Sequence, residues 1–201
     1  HDGNYLAVGG GTTLYILNTS LVEVDSVNCG LTINDVKWDK NYRLVVGLSY
    51  GSGNEIRTYY LDGTTLTEIS EGGAAYNGDV QGVNWSGGGK YWVAGGTEDD
   101  TLHIGSTTYS TSADISVSSM YAMDVNPAGD RLVVGGDAKI LALQEISGKS
   151  TTLLNNADIG FSRAMDVVSL AWSCTGKYVA VGAQPNAGEC APLHIYSYDS
   201  I

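Results

Sequence analysis

The sequence predicts an all-β fold built from about five repeated four-stranded units. Three observations carry the prediction: a recurring apolar pentapeptide, an excess of glycine and a shortage of charge. The pentapeptide appears as Tyr5-Leu-Ala-Val-Gly9, Arg43-Leu-Val-Val-Gly47, Tyr91-Trp-Val-Ala-Gly95, Arg131-Leu-Val-Val-Gly135 and Tyr178-Val-Ala-Val-Gly182. Its glycines are spaced by 38, 48, 40 and 47 residues, and the mean falls inside the ~40–45 residues of a β-propeller blade. Glycine fills 27 of 201 positions while charged residues make up only 16%, which suits many tight turns between short strands.

Each unit reads in the same order. Strand a comes first, with apolar positions at a three-residue and then a two-residue interval: Ile33, Val36, Trp38; Val80, Val83, Trp85; Met120, Met123, Val125; Val167, Leu170, Trp172. A turn follows, as in Ser86-Gly87-Gly88-Gly89, Asn126-Pro127-Ala128-Gly129 and Ser173-Cys174-Thr175-Gly176. Glycine at its fourth place supplies the positive φ of a short hairpin. Asp39-Lys40-Asn41 is one residue shorter, and Asn41 is expected to take that backbone. Strand b is the pentapeptide, ending in Gly where a side chain would obstruct the chain reversal or a neighbour's packing. Strand c reads Leu14–Leu17, Ile56–Tyr60, Leu102–Ile104, Ile140–Leu143 and Leu193–Tyr196, and a more polar strand d follows in four copies, as in Leu66–Ile69.

No segment shows sustained helical periodicity, and no charge run exceeds Glu98-Asp99-Asp100, so residues 1–201 read as one propeller domain, either by itself or as part of a longer propeller protein. No apolar run approaches the ~20 residues of a membrane helix, and the opening His1-Asp2-Gly3-Asn4 lacks a signal pattern. A net charge of -12 repels phosphate backbones and anionic lipid, which argues against nucleic acid and membrane as partners. Three cysteines, Cys29, Cys174 and Cys190, allow at most one internal disulfide. Cys174 and Cys190 fall at opposite ends of one strand and should not pair; Cys29 and Cys190 share a face, but all three are expected as free thiols.

Val-Asn-Trp-Ser-Gly-Gly-Gly-Lys-Tyr at 83 to 91 and Leu-Ala-Trp-Ser-Cys-Thr-Gly-Lys-Tyr at 170 to 178 make the chain resemble WD-repeat β-propellers. The resemblance covers nearly the whole chain and implies a rigid platform for partners. The Trp-Asp and Gly-His pairs of that family are absent, so its buried His, Ser and Asp network is not carried over. Counted by the spacing of later copies, the first blade lacks strand a. The last stops after strand c, which leaves the edge Leu193 to Tyr198 open for pairing with another strand.

His103 and His194 share one repeat position, each in Leu-His-Ile, and read as packing residues. No His-x-x-x-His or Cys-x-x-Cys spacing supports a metal or cofactor, and Gly51-Ser52-Gly53 reads as a hairpin rather than a nucleophile elbow. Asp79 and Asp166 lie at the same offset, six before the strand-a Trp, with Thr32 and Ser119 in the equivalent places. The loops from d to a and from b to c open on one face, which gathers Asp79, Asp166, Tyr50, Tyr76, Glu98, Asp99, Asp100 and Arg163 as candidate partner-binding residues, against the plainer reading of solvated loop charge. The leading functional expectation is a non-enzymatic platform for a basic or polar protein partner. The alternatives are an enzyme or carbohydrate-binding propeller with its site at the channel mouth, and a structural subunit of a larger assembly. The three strand-a tryptophans, Trp38, Trp85 and Trp172, are expected to be buried at equivalent positions between blades.

Overall fold

A computed structural model describes residues 3–70, 73–97, 101–107, 110–114, 119–137, 140–147, 150–158, 166–184 and 193–198. The described strands form five antiparallel sheets. The first holds β1 (Tyr5–Gly10), β2 (Thr13–Asn18) and β3 (Glu23–Asn28). The second holds β4 (Ile33–Trp38), β5 (Arg43–Leu48), β6 (Ile56–Asp62) and β7 (Thr65–Glu68). Next come β8 (Val80–Trp85), β9 (Trp92–Gly96), β10 (Thr101–Gly105) and β11 (Ser110–Asp114), then β12 (Met120–Val125), β13 (Arg131–Gly136), β14 (Ile140–Ser147) and β15 (Ser150–Asp158). The last sheet holds β16 (Asp166–Trp172), β17 (Tyr178–Gln184) and β18 (Leu193–Ser197). Within every sheet the strands pair in chain order, as hairpin-linked blades do.

The apolar cores lie between consecutive sheets. Leu14 and Ile16 of the first sheet cluster with Leu44, Val46 and Leu48 of the second, whereas Val45, pointing the other way, joins Val80, Val83, Trp92 and Ala94 of the third. Val93, Leu102 and Ile104 meet Leu132 and Val134, and Val133 meets Val167, Val179 and Val181. This explains why strand b is a continuous apolar run rather than an alternating one: both of its faces are covered. Strand a packs on strand a of the next sheet, β4 on β8, β8 on β12 and β12 on β16. Where no described sheet covers the outer sheets, the same positions stand open: Leu6 and Val8 on β1, Leu193 and Ile195 on β18.

Each strand a carries a β-bulge near its start, at Ile33/Asp35, Val80/Gly82, Met120/Ala122 and Val167/Ser169, after the first residue of β4, β8 and β12 and after the second of β16. The extra residue shifts the alternation by one, which produces the three-then-two spacing of the apolar positions. The hairpin glycines Gly89, Gly129 and Gly176 have φ of 67°, 74° and 68°, as expected. In the shorter turn, Tyr42 and not Asn41 takes the left-handed backbone, at φ 58°. Asp39 Oδ1 accepts from the Asn41 and Arg43 N–H groups and winds the turn so that its last residue turns left-handed. The Tyr42 ring then meets Tyr5 edge-on, with centroids 6.2 Å apart.

The tryptophans are not equivalent in burial, contrary to expectation. Trp85 is buried between the second and third sheets, while Trp38 and Trp172 are half-buried; Trp38 faces the three-stranded first sheet, and Trp172 lies on the three-stranded last sheet itself. Cys29 is buried and Cys174 exposed, both as free thiols; Cys190 lies outside the described residues. The Tyr59 hydroxyl lies 3.4 Å from Cys29 Sγ, and burial pushes its pKa up. His103 lies edge-on to Tyr76, and His194 Nδ1 bonds the Tyr196 hydroxyl.

Candidate functional site

The start of each strand a and the residues just after each strand b meet at one face. There the backbone C=O of Thr32, Asp79 and Ser119 accepts from the N–H of Ser49, Thr97 and Asp137 at 2.8, 3.0 and 3.1 Å. Asp166 pairs with Gln184 in the same register. The repeat therefore delivers the residue six before the strand-a tryptophan to an equivalent place in each blade, and its side chain is free to differ.

Blade by blade, that side chain does different things. Asp79 Oδ1 accepts from the Tyr50 N–H at 2.7 Å, so this carboxylate straps its own blade to the preceding one while the Tyr50 side chain stays 64% exposed. Asp166, half-buried, contributes its charge at Tyr121 on β12, whose phenol also hydrogen-bonds Asp137. Two carboxylates, Asp137 by hydrogen bond and charge and Asp166 by charge alone, thus act on the Tyr121 phenol. The hydrogen bond to Asp137 is the largest influence on Tyr121, followed by burial and the charges of Asp137 and Asp166, and together they raise its pKa above the ordinary value.

Tyr76 does not belong to the exposed surface expected for it. It is 2% exposed; its hydroxyl accepts from the Gly96 N–H at 2.9 Å and its own N–H donates to Glu55 Oε2 at 2.8 Å. Glu55 is itself buried, and Oε1 also accepts from Gly51. An aromatic next to a loop was thus taken inward to lock the loop's backbone. Glu98, Asp99, Asp100 and Arg163 lie outside the described residues. Sequence reasoning missed Asp137 and Tyr121. The signal was present, because Asp137 stands two residues after Gly135 as Ser49 and Thr97 stand after Gly47 and Gly95. Among the described residues, no group of three or more His, Cys, Asp or Glu converges as a metal set, and no helix is long and apolar enough to cross a membrane.

The Tyr121 contact has a measurable consequence. A phenol whose pKa is raised by folding keeps its proton at pH values where the unfolded chain has lost it, so stability falls as pH rises from about 10 through the raised value. Asp137→Asn removes the main cause. In that variant Tyr121 is expected to ionise at lower pH, read by NMR titration of the ring, and the alkaline loss of stability is expected to shrink. An unaltered Tyr121 titration would contradict the geometry.

No protein-family model matches the chain, and no curated protein matches it. Among solved structures it is similar to Sqt1 of Chaetomium thermophilum, at 16% identity and a TM-score of 0.69 over 90% of this chain and 51% of that one. It is similar also to the same protein bound to the N-terminus of the ribosomal protein L10, at 15% identity and a TM-score of 0.69 over 90% of this chain and 54% of that one. The chain therefore spans about half the length of these structures. The fold is a WD-repeat-like β-propeller.

Proposed function

We propose that the chain is a non-enzymatic propeller platform that receives a basic protein segment at the face carrying Asp79, Asp137 and Asp166. The observation that supports this most is the meeting of Asp137 and Asp166 at Tyr121, in a chain of net charge -12. Two carboxylates that converge on one phenol set up a negative potential suited to ammonium and guanidinium groups, and to the phenol's ring face. The converging groups are of one chemical kind, which suits binding better than acid-base division of labour. Sqt1, similar in fold, holds the N-terminus of a ribosomal protein, so a propeller of this kind can seat part of another protein. Tyr50 and the loop residues Glu98, Asp99, Asp100 and Arg163 remain in the proposed surface; Tyr76 contributes from beneath by holding the Glu55 loop.

The test is a titration of the chain with a labelled lysine-rich peptide, with a glutamate-rich peptide as control. Replacing Asp137 and Asp166 together by Asn is expected to weaken binding roughly three- to ten-fold at low salt, as for two partly exposed charges. The variant should also show a shallower dependence on salt. Asp79→Asn keeps an oxygen for the Tyr50 N–H and should alter binding without loosening the loop. Equal affinity of the double variant at low salt would refute the assignment.

A further inference from the structure

The end of the molecule opposite Asp79 carries the turns from strand a to b and from c to d, and three features set it apart from the acidic face. The first is backbone strain. Among the described residues Leu21, Tyr42 and Ser119 are the non-glycine residues with positive φ, and two of them, Leu21 at 59° and Tyr42 at 58°, stand at this end. Bulky side chains rarely take that backbone, and such strain gathers at ligand-binding positions. Asn18 winds the Leu21 turn, its C=O accepting from the Leu21 N–H at 2.9 Å and its Oδ1 from the Val22 N–H at 3.1 Å, as Asp39 winds the turn of Tyr42. The second feature is open apolar surface. Leu21 is 69% and Tyr42 39% exposed, with Val22 exposed as well. A cleft of about 460 Å³ lies between the first and second sheets here, lined by Tyr5, Asn18, Thr19, Tyr42 and Leu61. The third is charge. The four turns from a to b, with the residues that close them (39–43, 86–91, 126–131 and 173–178), hold five of the chain's ten basic residues and two of its 22 acidic ones. Asp39 is buried against Arg43, whereas the exposed Lys40 and Lys90 enter no ion pair among the described residues. Lys40 Nζ reaches to the next blade, 3.7 Å from where a Cβ on Gly88 would lie.

We infer that this end is a second docking site, for a protein segment that sets one aliphatic side chain in the cleft beside Tyr42 and Leu21 and lays carboxylates over Lys40 and Lys90. The turn of residues 39–42 stands between the cleft and the two lysines, since Tyr42 meets Tyr5 of the preceding blade and Lys40 reaches Gly88 of the following one. An extended segment crossing that turn at ~3.3 Å per residue brings its carboxylates about three residues from its anchor. Asp62, exposed next to the cleft in the turn from c to d, repels a carboxylate on the outer side. The acidic residues therefore lie on one side of the anchor, toward strand a. A sugar suits the cleft less well, because the Tyr5 and Tyr42 rings meet at 81° and form no flat platform, and because Leu21 and Val22 carry apolar surface beyond it. The site shares no residue with the acidic face and is independent of it.

The probe is a fluorescent, amidated peptide with one leucine and, about three residues from it, a pair of glutamates, made in both orders and titrated into the full chain by anisotropy. Tyr42→Gly removes the ring and gives the left-handed place to the residue that takes it most readily; Leu21→Asn does the same in the other turn with a residue that tolerates that backbone. Each variant is expected to weaken the better-bound peptide roughly five-fold while the urea midpoint holds or rises. A merely structural role for either side chain would lower the midpoint instead. Lys40→Gln should weaken the peptide roughly three-fold at low salt and leave unchanged the binding of a version with glutamines for glutamates. Replacing Asp137 and Asp166 by Asn should not weaken it, which keeps this outcome separate from that of the acidic face. The inference is overturned by a failure of both orders to bind, by equal binding of a peptide with serine for leucine, by affinity indifferent to Tyr42→Gly and Leu21→Asn, or by lowered midpoints in both variants. It is overturned equally by self-association that Leu21→Asn abolishes in sedimentation, since a second copy of the chain would then occupy the cleft.

Discussion

Trp85→Ala is expected to destabilise the chain by about 3–5 kcal/mol, the range for a buried aromatic removed from a core that cannot close over the space. The ring lies between two sheets, 6% exposed, packed with Val80, Val83 and Trp92. Its indole donates to Lys37 of the preceding blade, and the Arg43 guanidinium stacks over it with its carbon 5.1 Å from the ring centre. That guanidinium is held in turn by the buried Asp39 carboxylate, with Nε 2.7 Å from Oδ2, and by the Gly89 carbonyl. One side chain therefore closes a seam made by both blades, and its loss opens a void against rigid backbone on two sides. Trp85→Phe isolates the hydrogen bond and should cost about 1 kcal/mol beyond the smaller ring's lost contact. Trp38→Ala and Trp172→Ala should each cost less, since both rings are half-buried. Trp172 should exceed Trp38, because it alone of the pair donates to a carbonyl and rests against Tyr198 at 6.1 Å. Urea unfolding followed by circular dichroism measures the series, with shifts in midpoint at constant slope reporting stability. An equal loss for all three would mean that the seam does not grade from the middle blades outward.

How far the sequence leads is visible in these tryptophans. Their in-phase recurrence with Ile33, Val36, Val80 and Val83 was enough to place strand a, because the bulge that breaks the alternation is written into the spacing itself. Burial was not legible in the same way. It depends on which blades stand on either side, whereas Trp38, Trp85 and Trp172 share one position in the repeat. The site divides along similar lines. The offset of Asp79 and Asp166 was readable because backbone register sets it, and register follows the repeat. What each carboxylate meets was not, because it depends on side chains from other blades, Tyr50 for Asp79 and Tyr121 for Asp166. Tyr76 was misjudged for a related reason: loop polarity suggests exposure, but Glu55, far from it in sequence, draws its backbone into a buried bond. Position 42 shows a local rule overridden, as a side chain at Asp39 outweighed the turn preference of Asn41.

The glycine that ends strand b offers a graded test of what holds neighbouring blades at their spacing. Gly135→Ala is expected to cost about 1–3 kcal/mol through overpacking, since the new Cβ would lie 2.4 Å from Val167 Cγ1 and 2.7 Å from its Cβ. Val167 is fully buried and stiff at χ1, so it can yield only by moving β16. Gly95→Ala meets a different neighbour. Its Cβ would strike the terminal methyl of Met120 at 1.9 Å, but that methyl ends a flexible unbranched chain able to swing aside, and the cost should be smaller. Gly182→Ala, on the last described sheet, finds only Ser169, with its Cβ at 3.5 Å and its backbone O at 3.9 Å, both ordinary contacts. It should be neutral or slightly stabilising, because alanine restricts the unfolded chain more than glycine does. The three substitutions share one pentapeptide position and one chemical change, so strand propensity and turn geometry predict equal effects. An order of Gly135, then Gly95, then Gly182, read as urea midpoints, would assign the glycine to the close approach of the next blade's inner strand. A flat series would assign it to the blade's own backbone and remove the packing account.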